Sequence, residues 1–245
     1  QRRGVIRQVS VLSTMSREYS KLLQVAYSPG LPPLYTPPAK VGREEVRGVV
    51  ELVKSTLSPY IDHIRYLAGY AGGGKHMLLL VQNKFYAKIL ARLAGAVPCH
   101  RELCGEHVRK PTHFSSGPLD ITWFRSRAER GIDLPHEYSV VLVVGSPYPK
   151  PGYIAGGVVE PSEFTTSIAQ ALQFDARTFN AKAARRVSVA HTPYDILSGI
   201  SVLAQSLGRA TRSVMRTGEP VKVVMPAFLK HKVMLYAPLW LKMAG

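Results

Sequence analysis

The sequence predicts an α/β fold: a parallel sheet covered by helices on both faces, with a helical insert in the C-terminal half. Three observations carry this. The compact apolar run His76 to Val81 fits a strand buried on both faces, and Leu119 to Phe124, Val140 to Val144 and Val221 to Met225 are further strand-like runs. Stretches with helical spacing lie between several of them, and strands alternating with helices argue for a parallel sheet. The 245 residues, 46% hydrophobic and 20% charged, are enough for a sizeable core and unlike a disordered chain.

In chain order, residues 8 to 13 read as a short strand, and Ser16 to Leu23 as a helical turn or two. Gly30 to Pro38 is proline-rich and reads as an extended connector, because proline fixes φ and removes a donor. Residues 1–40 are therefore expected to be a lead-in, and 41–245 the main body. Val46, Val49, Val50 and Val53 recur at helical spacing from Glu44 to Leu57. Ser58-Pro59 reads as a cap and start for a second helix to about Leu67. A helix over Phe85 to Leu93 follows the first buried strand. Residues 162 to 216 read as mainly helical, with the insert at about 160–200.

Lys and Arg number 32 against 16 Asp and Glu, for a net charge of +16. Such an excess repels itself unless a polyanion meets it, so nucleic acid is the first partner to consider. From Arg177 to Arg216 the chain carries Arg177, Lys182, Arg185, Arg186, Arg209, Arg212 and Arg216 against one acid, Asp195. Phe174 and Phe179 lie close to this run. Cations with nearby aromatics suit single-stranded nucleic acid, whose phosphates meet charge while bases stack. Two cysteines, Cys99 and Cys104, cannot make a disulfide framework, which favours a reducing intracellular setting. No apolar run has the length of a membrane span, and no secretory signal opens the sequence. A start at Gln1 without Met predicts a processed product or a piece of something longer.

Gln205-Ser-Leu-Gly208-Arg209-Ala-Thr-Arg212 puts a glutamine, a glycine and two arginines on about two turns of predicted helix. Arg209 and Arg212, three apart, share a side and form a pair of planar cationic forks suited to a polyphosphate. Gly208 leaves room for a close approach. By contrast, Gly69-Tyr-Ala-Gly-Gly-Gly-Lys75-His76 only approximates a phosphate loop. His76 stands where Mg²⁺ needs a hydroxyl, and the stretch follows a helix and opens a strand, the reverse of the required order. It is expected to be a flexible glycine turn. Cys99, Cys104 and the nearby histidines do not complete a zinc pattern, and a partly buried pair of free thiols is expected, with no metal. No adjacent Asp-Glu pair follows an apolar strand, and no Gly-x-Ser-x-Gly elbow is present. Half of the machinery for any nucleotide chemistry is therefore expected elsewhere. Polar loops, Arg125 to Pro135 and Gly145 to Gly152, follow two strands at the sheet edge where α/β folds bind ligands.

The order of these pieces resembles the second motor domain of superfamily 2 helicases of the XPD/DinG group. The resemblance rests on Gly131-Ile-Asp133-Leu-Pro, Pro147-Tyr148-Pro149 and Gln205-x-x-Gly208-Arg209-x-x-Arg212. Weaker likenesses lie at Leu12 to Tyr19, at Leu78 to Tyr86 with Asn83, and at Pro238-Leu-Trp240. It implies a RecA-like sheet. Gln205, Arg209 and Arg212 would face ATP and act in catalysis, Arg212 as the arginine finger on the γ-phosphate. Gly208, Gly131 and Asp133 would lie at the nucleotide, the last two coupling it to the nucleic-acid backbone. Asn83 and Tyr148, with Arg177, Lys182, Arg185 and Arg186, are the expected nucleic-acid contacts. ATP and Mg²⁺ would be held mainly by an N-terminal helicase domain or a partner subunit carrying the phosphate loop, with single-stranded DNA across the basic face and no membrane. Two positions depart from the group. Arg130 stands where it usually has Glu, and Met225-Pro-Ala-Phe228 where it often has Asp-x-Arg. The alternative is a non-catalytic nucleic-acid-binding module, or a subunit of a larger nucleic-acid-processing or defence complex.

Overall fold

A computed structural model describes residues 16–35, 46–71, 74–100, 103–126, 136–148, 193–211 and 219–245. Gly131, Asp133, Arg177, Lys182, Arg185, Arg186 and Arg212 lie outside the described residues, as do the strand expected at 8 to 13 and the insert before residue 193.

The strands are β1 (Leu23–Ser28), β2 (His76–Val81), β3 (Val97–His100), β4 (Leu103–Cys104), β5 (His113–Ser116), β6 (Leu119–Trp123), β7 (Tyr138–Val144) and β8 (Val221–Pro226). The helices are α1 (Val46–Ala68), α2 (Lys84–Leu93), α3 (Pro193–Ala210), α4 (Lys230–Tyr236) and α5 (Leu239–Lys242). All eight strands form one sheet in the order β1-β8-β7-β2-β6-β5-β3-β4. The first five in that order run parallel, and β5, β3 and β4 extend the sheet as an antiparallel arm.

Period-two geometry sorts the central strands between two apolar layers. Leu78 and Leu80 of β2, with Val141 and Val143 of β7, join a core with Ile200, Leu203 and Leu207 of α3, Val233 of α4 and Leu241 of α5. Met77, Leu79 and Val81, with Leu142 and Val144, join a second core with Val53, Leu57 and Tyr60 of α1 and Tyr86 and Leu90 of α2. The four expected strands are present within two residues of their expected bounds.

Three expectations need correction. The two helices expected on either side of Ser58-Pro59 are one helix, α1, with Pro59 inside it. Proline removes one ladder bond, but Val53, Leu57, Tyr60 and Leu67 form one buried stripe across it, and that burial keeps the halves in line. Helical structure after Ser16 stops at Ser20, and Leu23 opens β1, which pairs in parallel with β8. The sheet is also not wholly parallel. The arm went unseen because β3, β4 and β5 have only four, two and four residues, too few to show a period.

The segment after β1 packs closely against the body. Leu31 and Leu34 are buried in the second core, and the Tyr60 hydroxyl donates to the Pro32 carbonyl at 2.6 Å. Among the described residues no helix is long and apolar enough to cross a membrane.

Candidate functional site

From β2 the chain passes through α2 and the arm to β6 on one side; from β7 it passes to β8 on the other. The loops therefore diverge between the carboxyl ends of β2 and β7, the switch point where α/β sheets form ligand crevices. Gln82 bridges it. Its backbone amide donates to Val144 at 2.8 Å, and its Oε1 accepts from the Ser146 amide at 3.1 Å and the Ser146 hydroxyl at 3.3 Å. Gly145 takes φ +79°, and a Cβ there would lie 2.6 Å from Gln82 Oε1, so this turn excludes larger residues. Arg125, just past β6, reaches the same edge and donates from Nη1 to the Pro147 carbonyl at 3.2 Å.

Asn83 sits at this edge as the N-cap of α2, its Oδ1 accepting from the Tyr86 amide at 3.1 Å. Its carboxamide thus satisfies an amide that the helix cannot. Tyr148 is half-buried, and burial raises its hydroxyl pKa to about 12. Its ring lies over Gly199 of α3, where a Cβ would be 2.6 Å from the ring's Cδ1. Asn83 thus caps α2 and Tyr148 packs on Gly199, both at the switch point.

Gln205, Gly208 and Arg209 belong to a different place. Ile200, Leu203, Ala204, Leu207 and Ala210 form the buried face of α3. At 100° per residue the Gln205 and Arg209 positions fall on the opposite side, and Gly208 on the flank. Gln205 is exposed and Arg209 half-buried, and no described atom lies within 4 Å of a Cβ built on Gly208. Gly199 is at the carboxyl edge, whereas the chain after α3 re-enters at Glu219, which is ion-paired with Lys75 just before β2. Arg209 is ten residues on from Gly199, roughly 15 Å along the axis and away from Tyr148.

A third cluster was missed by sequence reasoning. Asp120 of β6 is fully buried at the amino edge of the central strands. Its Oδ2 accepts from the Tyr138 hydroxyl at 2.8 Å and lies 2.6 Å from His136 Nδ1 and 3.5 Å from His76 Nδ1. The His76 and His136 rings stack with centroids 3.7 Å apart and planes 14° from parallel. Asp120 Oδ1 and His76 Nδ1 are buried with no hydrogen-bond partner among the described residues. Burial lowers the His76 pKa, the neighbouring His136 lowers it further, and Asp120 opposes both. Burial, then the Asp120 charge, pushes Tyr138 well above its ordinary value. The only local signals were a histidine opening an apolar strand and an aspartate inside Leu-Asp-Ile-Thr-Trp.

The thiol expectation is overturned. Cys99 and Cys104 face each other across β3 and β4 and are joined by a disulfide. Antiparallel pairing in a hairpin brings the two together, which spacing alone does not reveal. The cysteines therefore no longer argue for a reducing compartment. With a sequence separation of 5, the bond restrains the unfolded chain only slightly. Reduction is expected to lower stability by about 2 kcal/mol and leave the fold intact. Urea denaturation with and without a thiol reductant tests this, and complete unfolding on reduction would refute it.

His113 on β5 is buried, with Nδ1 3.1 Å from the Thr112 hydroxyl. Burial lowers its pKa; Asp120 opposes this, and His136 and His100 reinforce it. The folded protein therefore holds it neutral while the unfolded chain protonates at about pH 6.5. Its contribution to stability is present above that pH and is lost as pH falls towards the folded value. For the metal-free protein, the denaturation midpoint should drop between about pH 7.5 and about pH 5.5. The drop should shrink in His113→Gln.

No family model, curated protein or solved structure matches the chain.

Proposed function

We propose that the chain is the second motor half of an ATP-dependent DNA helicase or translocase, with a RecA-like sheet as its frame. The observation that carries this reading is the outward presentation of Gln205, Gly208 and Arg209. Gln205 and Arg209 lie opposite the buried face of α3, and no described atom lies within 4 Å of a Cβ built on Gly208 beside them. A helix that anchors on one side and carries polar and cationic residues on the other suits phosphate held by a neighbouring domain. Arg212 follows Arg209 by three residues in the sequence.

The described residues offer no phosphate cradle of their own. The glycine stretch leads into β2 rather than into a helix. The N-terminus of α2 is already capped by Asn83. ATP and Mg²⁺ therefore belong mainly to the partner half, and this chain supplies the finger, Arg212, with Gln205 and Arg209 orienting it. Gly131 and Asp133 couple the nucleotide to single-stranded DNA. Arg177, Lys182, Arg185 and Arg186 contribute to a strand interface whose affinity falls steeply with salt.

The test is reconstitution with a half that carries a phosphate loop and paired Mg²⁺ carboxylates. The separate chain should bind single-stranded DNA without hydrolysing ATP, and the assembled pair should hydrolyse it in a DNA-stimulated manner. Robust turnover by the chain alone would refute the shared site. DNA binding without turnover in the assembly would favour a binding module.

A further inference from the structure

We propose that His76, Asp120 and His136 form a binding site for one divalent transition-metal ion, with zinc as the best match. The site is at the amino edge of the central strands, and it does not depend on the motor reading.

The donor set is the first argument. Two imidazoles and one carboxylate are a common ligand set for zinc and its neighbours, with further positions left to solvent. One ligand atom from each of the three residues lies within 4.8 Å of the other two. The 3.5 Å from Asp120 Oδ2 to His76 Nδ1 is near that of donors sharing an ion at about 2.0–2.2 Å, and the 2.6 Å to His136 Nδ1, a hydrogen bond here, widens to admit the ion.

The second argument is what the protein leaves unsatisfied without an ion. Asp120 is wholly buried, yet its Oδ1 has no partner among the described residues. His76 Nδ1 is buried, unpartnered and aimed at the same carboxylate from 3.5 Å. A buried carboxylate oxygen without a donor is costly, and so is a ring nitrogen lone pair facing one. Protonating both histidines to serve Asp120 would stack two cations with centroids 3.7 Å apart. A metal ion resolves the last two problems, because it accepts lone pairs from both rings and from the carboxylate.

The third argument is support. His76 opens β2, Asp120 is the second residue of β6, and His136 precedes β7 by two residues, so three hydrogen-bonded strands fix the geometry. The Tyr138 hydroxyl holds Asp120 Oδ2 at 2.8 Å, as an outer-shell partner orients a ligating carboxylate. His76 and His136 are only partly buried, which leaves the ion a route in from solvent.

The test uses the full chain stripped with a chelator, with Zn²⁺ and Co²⁺ as probes. Calorimetric titration should give one ion per chain, with a rise in Tm as the bound form is favoured. Bound Co²⁺ should show ligand-field bands without a thiolate charge-transfer band. His76→Gln and His136→Gln, at partly exposed positions, should each weaken binding at least tenfold. Tyr138→Phe should weaken it by roughly 10- to 100-fold. Cys99→Ser with Cys104→Ser should leave affinity unchanged. The proposal is overturned if the wild-type chain binds neither ion, if affinity survives the double histidine substitution, or if only the cysteine variant abolishes binding.

Discussion

Replacing Arg212 with alanine, in the chain assembled with an ATP-binding partner half, should lower kcat for ATP hydrolysis by about a thousandfold to a hundred-thousandfold. An arginine finger acts on charge that develops as the γ-phosphate transfers, so its loss falls on kcat rather than on ground-state binding. KM for ATP should therefore change far less than kcat. Arg209→Ala, three residues earlier in the sequence, should cost less if it mainly orients the nucleotide. The substitution should not unfold the domain, because the helix is anchored through Ile200, Leu203, Leu207 and Ala210. Circular dichroism and single-stranded DNA affinity at fixed salt serve as controls. An Arg212→Ala assembly that hydrolyses ATP at the wild-type rate would sink the motor reading and leave a binding module.

The second large effect is expected at Gly145. Alanine there must adopt φ +79°, a left-handed conformation that costs an L-residue about 1–2 kcal/mol. Its Cβ would also lie 2.6 Å from Gln82 Oε1 and 2.8 Å from Leu34 Cδ1. Relieving those contacts means moving Gln82, which holds the Ser146 amide, and Leu34, which is buried in the second core. Overpacking of this kind costs about 1–3 kcal/mol. Together the two terms predict a loss of roughly 2–5 kcal/mol in urea denaturation, a large share of an ordinary domain's stability. Gly208→Ala, with no described atom near its Cβ and a helical site, should be neutral or slightly stabilising, and so serves as the control. Equal losses at both glycines would refute the argument.

Both predictions trace to features legible to different degrees in the sequence. The outward face of α3 follows from spacing alone, since the apolar residues from Ile200 to Ala210 leave Gln205 and Arg209 on the other side. The Gly145 turn was visible as a loop after an apolar strand, but its tightness depends on Gln82, which is 63 residues earlier in the chain. The resemblance implies nucleic-acid contact for Asn83 and Tyr148 and an ATP-facing role for Gln205 and Arg209. Geometry puts the first two at the carboxyl edge in capping and packing roles, and the others along α3 towards the opposite edge.

The sequence by itself determined the central strands, the helices between them and the polar face of α3. Hydrophobic periodicity is a local property, and it survives whatever the neighbours are. The tertiary structure alone decided that Pro59 lies within one continuous helix, that Leu23 to Ser28 is an edge strand beside β8, and that Cys99 meets Cys104 across a hairpin. It alone brought His76, Asp120 and His136 together from positions spread over 60 residues. Which strands become neighbours depends on burial summed over the whole sheet, and no local pattern records that sum.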